Sequence, residues 1–238
     1  MRKSIIFVIG IGEEGLDGIS VTSRQLIEKA DILVGGMRHL SKISVCNEMR
    51  VDWSNGIEEA LDVIENNYDK SVVVLASGDP LNFGIGKNII NKFGIDSVKI
   101  IPAPGAFSLA AARMGWALPD VNCLTVHGRA ISSVNLHLIE GERLLILSRD
   151  AATPAELATL LTAKGFGPSE ITVLANMGGE ESRLEEIAEK WEHEPEADLN
   201  TIAVLCRVKK ITRNYLGLGP QVCQTMFLNM TDKLLRGK

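Results

Sequence analysis

The sequence predicts an α/β protein made of two α/β domains of similar size, with a mainly parallel sheet in the first. Three observations carry this. Short β-rich apolar runs alternate with amphipathic helical patterns through the first half. Three glycine-bearing loops each follow such a run. The alternation breaks once, at Trp116-Ala117-Leu118-Pro119-Asp120-Val121-Asn122, where proline and polar residues interrupt both periods.

In chain order, residues 4–9, 32–34, 72–76 and 98–101 read as strands of the first half. Residues 57–64 between the second and third carry apolar side chains at helical spacing. The second half opens with Leu124-Thr125-Val126-His127-Gly128-Arg129, and residues 143–147, 170–174 and 201–207 are its further strands. A helix is expected over 154–164, with Thr153 as N-cap, Pro154 at its first position and Gly165 just past its end. The domains are expected over 1–118 and 123–238.

Of 238 residues, 45% are hydrophobic but only 5% aromatic, an aliphatic surplus that suits a parallel sheet covered by helices. The net charge of −5 argues against a nucleic-acid binder but leaves room for an acidic small molecule held by a local arginine cluster. The cysteines (Cys46, Cys123, Cys206, Cys223) are widely spaced, as reduced thiols would be, and form neither a disulfide frame nor a metal set. Met1-Arg2-Lys3 and the apolar run after it imitate a signal peptide, but Glu13 and Glu14 end that run early. No apolar stretch approaches the roughly 18–20 residues of a membrane span. A soluble cytoplasmic protein is expected.

The first loop, Gly10-Ile11-Gly12-Glu13-Glu14-Gly15, is a GxGxxG after a strand and admits a dinucleotide-binding reading. Two features oppose it. Glu13 and Glu14 put negative charge where phosphates would lie, and the acidic candidate for a ribose, Asp31, precedes its strand rather than ending it. A turn that brings a non-phosphate ligand near the backbone, or a structural turn, stays open. The second loop, Ser77-Gly78-Asp79-Pro80-Leu81-Asn82-Phe83-Gly84-Ile85-Gly86, fixes a carboxylate at a strand exit, where open α/β sheets bind ligands. It is also readable as a tight turn with its own side-chain cap. The third, Pro102-Ala103-Pro104-Gly105-Ala106-Phe107-Ser108, turns rigidly into an alanine-rich helix whose free N–H groups suit a carboxylate, or which is simply a well-capped core helix.

Two basic pairs stand at strand ends: Arg38 with His39, and His127 with Arg129. Arginine suits bidentate carboxylate recognition, so a substrate with several carboxylates fits them; lone histidines are more often structural or solvated. There is no GxSxG elbow, no GxxxxGK[ST], no HExxH and no clustered Cys/His set. Transfer of a group from an activated donor needs none of these.

Taken in order, these motifs resemble the S-adenosylmethionine-dependent tetrapyrrole methyltransferases over nearly the whole chain. The resemblance runs through Gly10-Ile11-Gly12, Ser77-Gly78-Asp79-Pro80, Pro104-Gly105-Ala106-Phe107-Ser108, Ser148-Arg149-Asp150 with Thr153-Pro154, and Asn176-Met177-Gly178-Gly179-Glu180. The Gly-Asp-Pro loop with its trailing glycines is its most specific part. Gly36-Met37-Arg38-His39-Leu40, Val126-His127-Gly128-Arg129 and the ending Met230-Thr231-Asp232-Lys233-Leu234-Leu235-Arg236 are similar to the branch that methylates C-5 of a precorrin or cobalt-precorrin. That branch exists alone or as the N-terminal half of a C-5,15 methyltransferase.

The resemblance implies a mixed second sheet, a cleft between the domains that holds the methyl donor, and a homodimer. It implies donor contacts from Gly78, Asp79, Pro80, Asn82, Phe107, Ser108, Leu147, Ser148 and Met177. Glu13 stands where many relatives carry proline, which leaves two roles open for Gly10 and Gly12: donor contact, or a wall of the porphyrinoid trough. The expected chemistry is methyl transfer to an enamine-like ring carbon, with S-adenosyl-L-homocysteine as product, Arg38, His39 and Arg129 on substrate carboxylates, and His127 as base. The partner is then a corrinoid or other tetrapyrrole, with no nucleic acid, membrane or metal. The competing readings are a methyltransferase of the same fold acting on another tetrapyrrole, ribosomal RNA or a protein, a nicotinamide-dependent reductase, and a tetrapyrrole carrier.

Overall fold

The computed structural model describes residues 4–45, 47–53, 56–193 and 197–209. Cys46, Cys223 and the family-like ending at 230–236 lie outside them. The first half is β1 (Ile6–Ile11), α1 (Val21–Glu28), β2 (Ile32–Gly35), α2 (Met37–Leu40), β3 (Met49–Asp52), α3 (Ile57–Asn66), β4 (Val72–Ser77), α4 (Gly86–Phe93), β5 (Val98–Ile101) and α5 (Ala106–Met114). Its five strands are all parallel, in the order β3-β2-β4-β1-β5.

Strand alternation sends successive side chains to opposite faces of this sheet. Val8, Val34, Val72, Val74 and Ala76 pack with Ala60, Leu61 and Ile64 of α3 and Ile89 of α4. Ile9, Ile11, Leu33, Val73 and Leu75 pack with Ile27 of α1 and Leu40 of α2. Burial on both faces explains why these strands read as continuous apolar runs.

The second half is β6 (Asn122–Thr125), β7 (Arg143–Leu147), α6 (Thr153–Ala163), β8 (Glu170–Ala175), β9 (Ser182–Ile187) and β10 (Asn200–Leu205). Its sheet is mixed, in the order β6-β7-β10-β8-β9: β6 runs parallel to β7, and the other pairs are antiparallel. One face packs on Leu157, Ala158 and Leu161 of α6. The other takes Phe107, Ala110 and Ala111 of α5 against Leu145, Leu174 and Ala203. The alanine-rich helix thus precedes the break at 116–122 in sequence but packs on the second sheet. Both sheets lie within one compact unit, Met1–Val208.

Three local expectations change. The edge strands β3 and β9 went unread because Met-Arg-Val-Asp and Ser-Arg-Leu-Glu-Glu-Ile carry the polar pattern of exposed edges. The last strand begins at Asn200 and ends at Leu205 rather than running from 201 to 207. Thr153 is the first residue of α6, and its capping role falls to Asp150, whose Oδ1 accepts from the backbone N–H of Ala152 and of Thr153, both at 3.1 Å. The described cysteines, half-buried Cys123 and buried Cys206, are free thiols; burial raises both, Cys206 to about 11.

Candidate functional site

The three glycine loops leave adjacent strands, β4, β1 and β5, and pack on one another by backbone. A Cβ on Gly10 would lie 1.8 Å from the Gly78 carbonyl oxygen and 2.6 Å from the Ala103 nitrogen. Gly78, at φ +56°, donates to the Ile11 carbonyl at 3.1 Å and accepts from Ala103 N–H at 3.2 Å. A Cβ there would lie 2.6 Å from the Gly105 Cα. Mutual close approach therefore accounts for Gly10 and Gly78 as glycines. After Glu14 the chain enters a short 3₁₀ turn, Gly15–Gly18, so the first loop does not open directly into a helix N-terminus, as a pyrophosphate site would. Asp31 is engaged elsewhere, accepting from Ser71 N–H at 2.8 Å.

In the second loop Asp79 caps its own turn: Oδ1 accepts from Leu81 N–H at 2.9 Å. The glycines that follow let the loop fold back on Pro80. Gly86 N–H donates to the Pro80 carbonyl at 2.8 Å, and a Cβ on Gly84 or Gly86 would meet that oxygen at 2.7 Å. This fold-back holds Phe83 in the left-handed region, at φ +56°. Such a conformation costs a bulky residue about 1–3 kcal/mol.

Where the strand ends of the two sheets face each other lies a cavity of about 770 Å³. The first half contributes Arg38, His39, Trp53, Ser77 and Phe83; the second contributes His127, Arg129, Leu147, Ser148 and the start of β10. A narrower recess of about 60 Å³ is lined by Gly12, Glu13, Gly78, Leu109, Leu174 and Met177. Cavity and recess share Ser77, Leu199, Asn200 and Thr201. Asp79, Pro80 and Asn82 form the turn beside them, Ser108 is exposed on the first turn of α5, and the Phe107 side chain is buried in the core.

The first rim is charged. Arg38 pairs with Glu13 at 3.0 Å and donates to Ser77 Oγ at 3.3 Å, while Lys42 holds the other Glu13 oxygen at 2.5 Å. Partial burial disfavours the Glu13 charge, but the Lys42 hydrogen bond and the Arg38 charge outweigh it and hold the carboxyl below its ordinary range. His39 is buried, and burial together with the Arg38 charge lowers it to about 4. It is therefore a neutral hydrogen-bonding ring at pH 7, not a cation. Its Nε2 lies 3.2 Å from the Arg38 guanidinium, which can only donate, so the ring proton is assigned to Nδ1. That Nδ1 is buried without a partner. Across the cavity the Arg129 guanidinium lies over the Phe83 ring, 5.5 Å from its centroid.

The second rim joins a neutral pair, Ser148 and Asn200, to the charged side chains of Arg129 and Asp198. Asn200 is buried, donating to the Ala197 carbonyl at 2.8 Å and the Asp150 carbonyl at 3.3 Å while accepting from Ser148 Oγ. Sequence reasoning overlooked Asn200, Thr201, Trp53 and Phe83. Asn200 and Thr201 open an antiparallel strand, and a search for strand exits does not look there. The recess joins apolar walls to one carboxylate, Glu13, whose charge is met by Arg38 and Lys42.

The family model for tetrapyrrole (corrin/porphyrin) methylases matches residues 6–190. The chain is 41% identical, over 74% of its length and 43% of the relative's, to a precorrin-6Y C(5,15)-methyltransferase [decarboxylating] of Sinorhizobium. It is 33% identical to a cobalt-precorrin-7 C(5)-methyltransferase of Salmonella typhimurium, over 76% of this chain and 89% of that one. A crystal structure of a precorrin-6Y methylase from Archaeoglobus fulgidus superposes with a TM-score of 0.65 at 26% identity, over 86% of this chain and 99% of that one. The chain spans about half the length of the C(5,15) relatives it matches. The motifs, the paired sheets and these similarities agree: the chain belongs to the tetrapyrrole (corrin/porphyrin) methylase family.

Proposed function

We propose that this chain transfers a methyl group from S-adenosylmethionine to C-5 of a corrin-ring precursor, the precorrin-6Y or cobalt-precorrin-7 step of cobalamin biosynthesis. One observation carries the choice of carbon. The longer relative is named for C-5 and C-15, the relative of similar length for C-5 alone, and this chain covers 89% of the latter. C-5 is the position their names share.

S-adenosylmethionine supplies an electrophilic methyl group on a sulfonium. The chain's own part is to orient and to exclude water. Leu109, Leu174, Met177 and Leu199 give the recess apolar walls, Gly12 and Gly78 give it backbone, and Glu13 adds a carboxylate paired with Arg38 and Lys42. The loops carrying Gly10, Asp79, Pro80, Asn82, Phe107 and Ser108 support the donor from the first half, and Leu147 and Ser148 from the second. Arg38 and Arg129 take substrate carboxylates from opposite sides of the cavity. His39 serves them as a neutral partner. His127, exposed at the rim, accepts the proton that the ring loses after transfer. S-adenosyl-L-homocysteine then leaves. The same reading makes the protein a cytoplasmic homodimer with domains over 1–118 and 123–238.

Titration calorimetry with S-adenosyl-L-homocysteine tests the donor assignment. Micromolar binding is expected, and absence of heat at that concentration removes the reading. For the acceptor, Arg38→Ala and Arg129→Ala are each expected to raise the corrinoid KM; if neither does, their assignment is wrong.

A further inference from the structure

We propose that Phe83 is a positioning residue for substrate binding: from the first half it aims the Arg129 guanidinium, across the cavity, at a carboxylate of the corrinoid. This rests on the corrinoid reading of the site and goes beyond it, since neither the motifs nor the family resemblance gives Phe83 a role.

Four observations support it. Phe83 is an exposed aromatic with a left-handed backbone, a combination that persists only where surrounding structure over-determines it. Here the fold-back of Gly84 and Gly86 onto the Pro80 carbonyl does so. The ring is braced from behind by Phe107, edge to face at 6.0 Å, and Phe107 is itself buried against the second sheet. In front, the Arg129 guanidinium lies 5.5 Å from the ring centroid. Finally, Arg129 has no carboxylate partner among the described residues, whereas Arg38 on the opposite wall is already paired with Glu13. A long flexible cation facing a wet cavity loses entropy when it must be ordered on binding. An aromatic face that orders it beforehand, while leaving its donor edges free, lowers that cost. The core thus sets Phe107, Phe107 sets Phe83, and Phe83 sets Arg129.

The test compares two corrinoid probes, cobyrinic acid with free carboxylates and its heptamethyl ester, binding to the full chain by equilibrium titration. Phe83→Leu is expected to weaken the acid by about 5-fold, the scale of a partly solvated cation–π contact. It is expected to leave the ester and S-adenosyl-L-homocysteine unchanged. Phe83→Tyr restores the acid, and in an Arg129→Gln background Phe83→Leu has no further effect. Equal loss for acid and ester means the ring stacks on substrate directly and overturns the proposal, as does an unchanged acid affinity. Phe83→Asn, which tolerates the left-handed backbone but lacks the ring, must behave as Phe83→Leu; wild-type binding of the acid by Phe83→Asn also overturns it. Wild-type protein that binds neither corrinoid defeats the corrinoid reading itself, a result distinct from any of these.

Discussion

The two rims of the cavity are built by different sheets and present different chemistry. The first rim collects strand exits of a parallel sheet, and it is charged and strained: Glu13, Arg38 and Lys42 in one cluster, a neutral His39 behind them, and Phe83 at positive φ. The second comes from a mixed sheet and is uncharged at its strand ends, its charge (Arg129 and Asp198) lying on flanking loops: Ser148 at a strand exit donates to Asn200 at a strand entry, and Asn200 donates to carbonyls of the loop between β7 and α6 and of the segment before β10. A parallel sheet delivers every strand end to one edge, so loops with unlike roles crowd there and must interlock. A mixed sheet interleaves exits and entries, so its functional residues are dispersed in sequence.

The largest expected effect breaks the interlock. Gly10→Ala places a Cβ against two backbone groups that cannot yield, and is expected to destabilise the fold by about 4 kcal/mol or more in denaturant unfolding. On the second half Gly165→Ala, at positive φ but with no atom within 4 Å, should cost only about 1 kcal/mol.

Next comes pH. His39 is lowered to about 4 from an ordinary 6.5, so below 6.5 the unfolded chain binds a proton that the folded chain refuses. Stability is then full above 6.5 and falls as pH drops toward 4, by about 3 kcal/mol over the window. His39→Gln should flatten the stability profile between those limits, and a profile unchanged by it would contradict the neutral assignment.

On the second rim, Asn200→Ala leaves two half-buried carbonyls without their donor and is expected to cost about 2 kcal/mol, with no added pH dependence. The smallest effect is Glu13→Gln, about 1 kcal/mol at neutral pH because the Arg38 and Lys42 pairs are partly solvated. Glu13 sits below its ordinary 4.5, so its contribution is present above that pH and lost on acidification. Thermal melts from pH 3 to 7 separate it from His39.

How much the sequence disclosed follows the same division. Apolar runs and glycine loops revealed β1, β2, β4 and β5, because buried parallel strands write a continuous signal. The purpose of the glycines was less legible: Gly10 and Gly78 serve loop-on-loop contact, and Gly84 and Gly86 serve a fold-back on Pro80, contacts between residues far apart or turned upon themselves. Asp79 proved to cap its own turn. The polar edge strands β3 and β9 left no periodicity to find. Asn200 was hidden by strand direction, and the neutrality of His39 by a burial that no spacing encodes.

Methyl transfer to one carbon of a corrin precursor can be read out by incubating the chain with precorrin-6Y or cobalt-precorrin-7 and donor carrying a labelled methyl, then locating the label by mass spectrometry and NMR. One added methyl is expected, on C-5. Label on another ring carbon, or none transferred by protein that binds S-adenosyl-L-homocysteine, would contradict it.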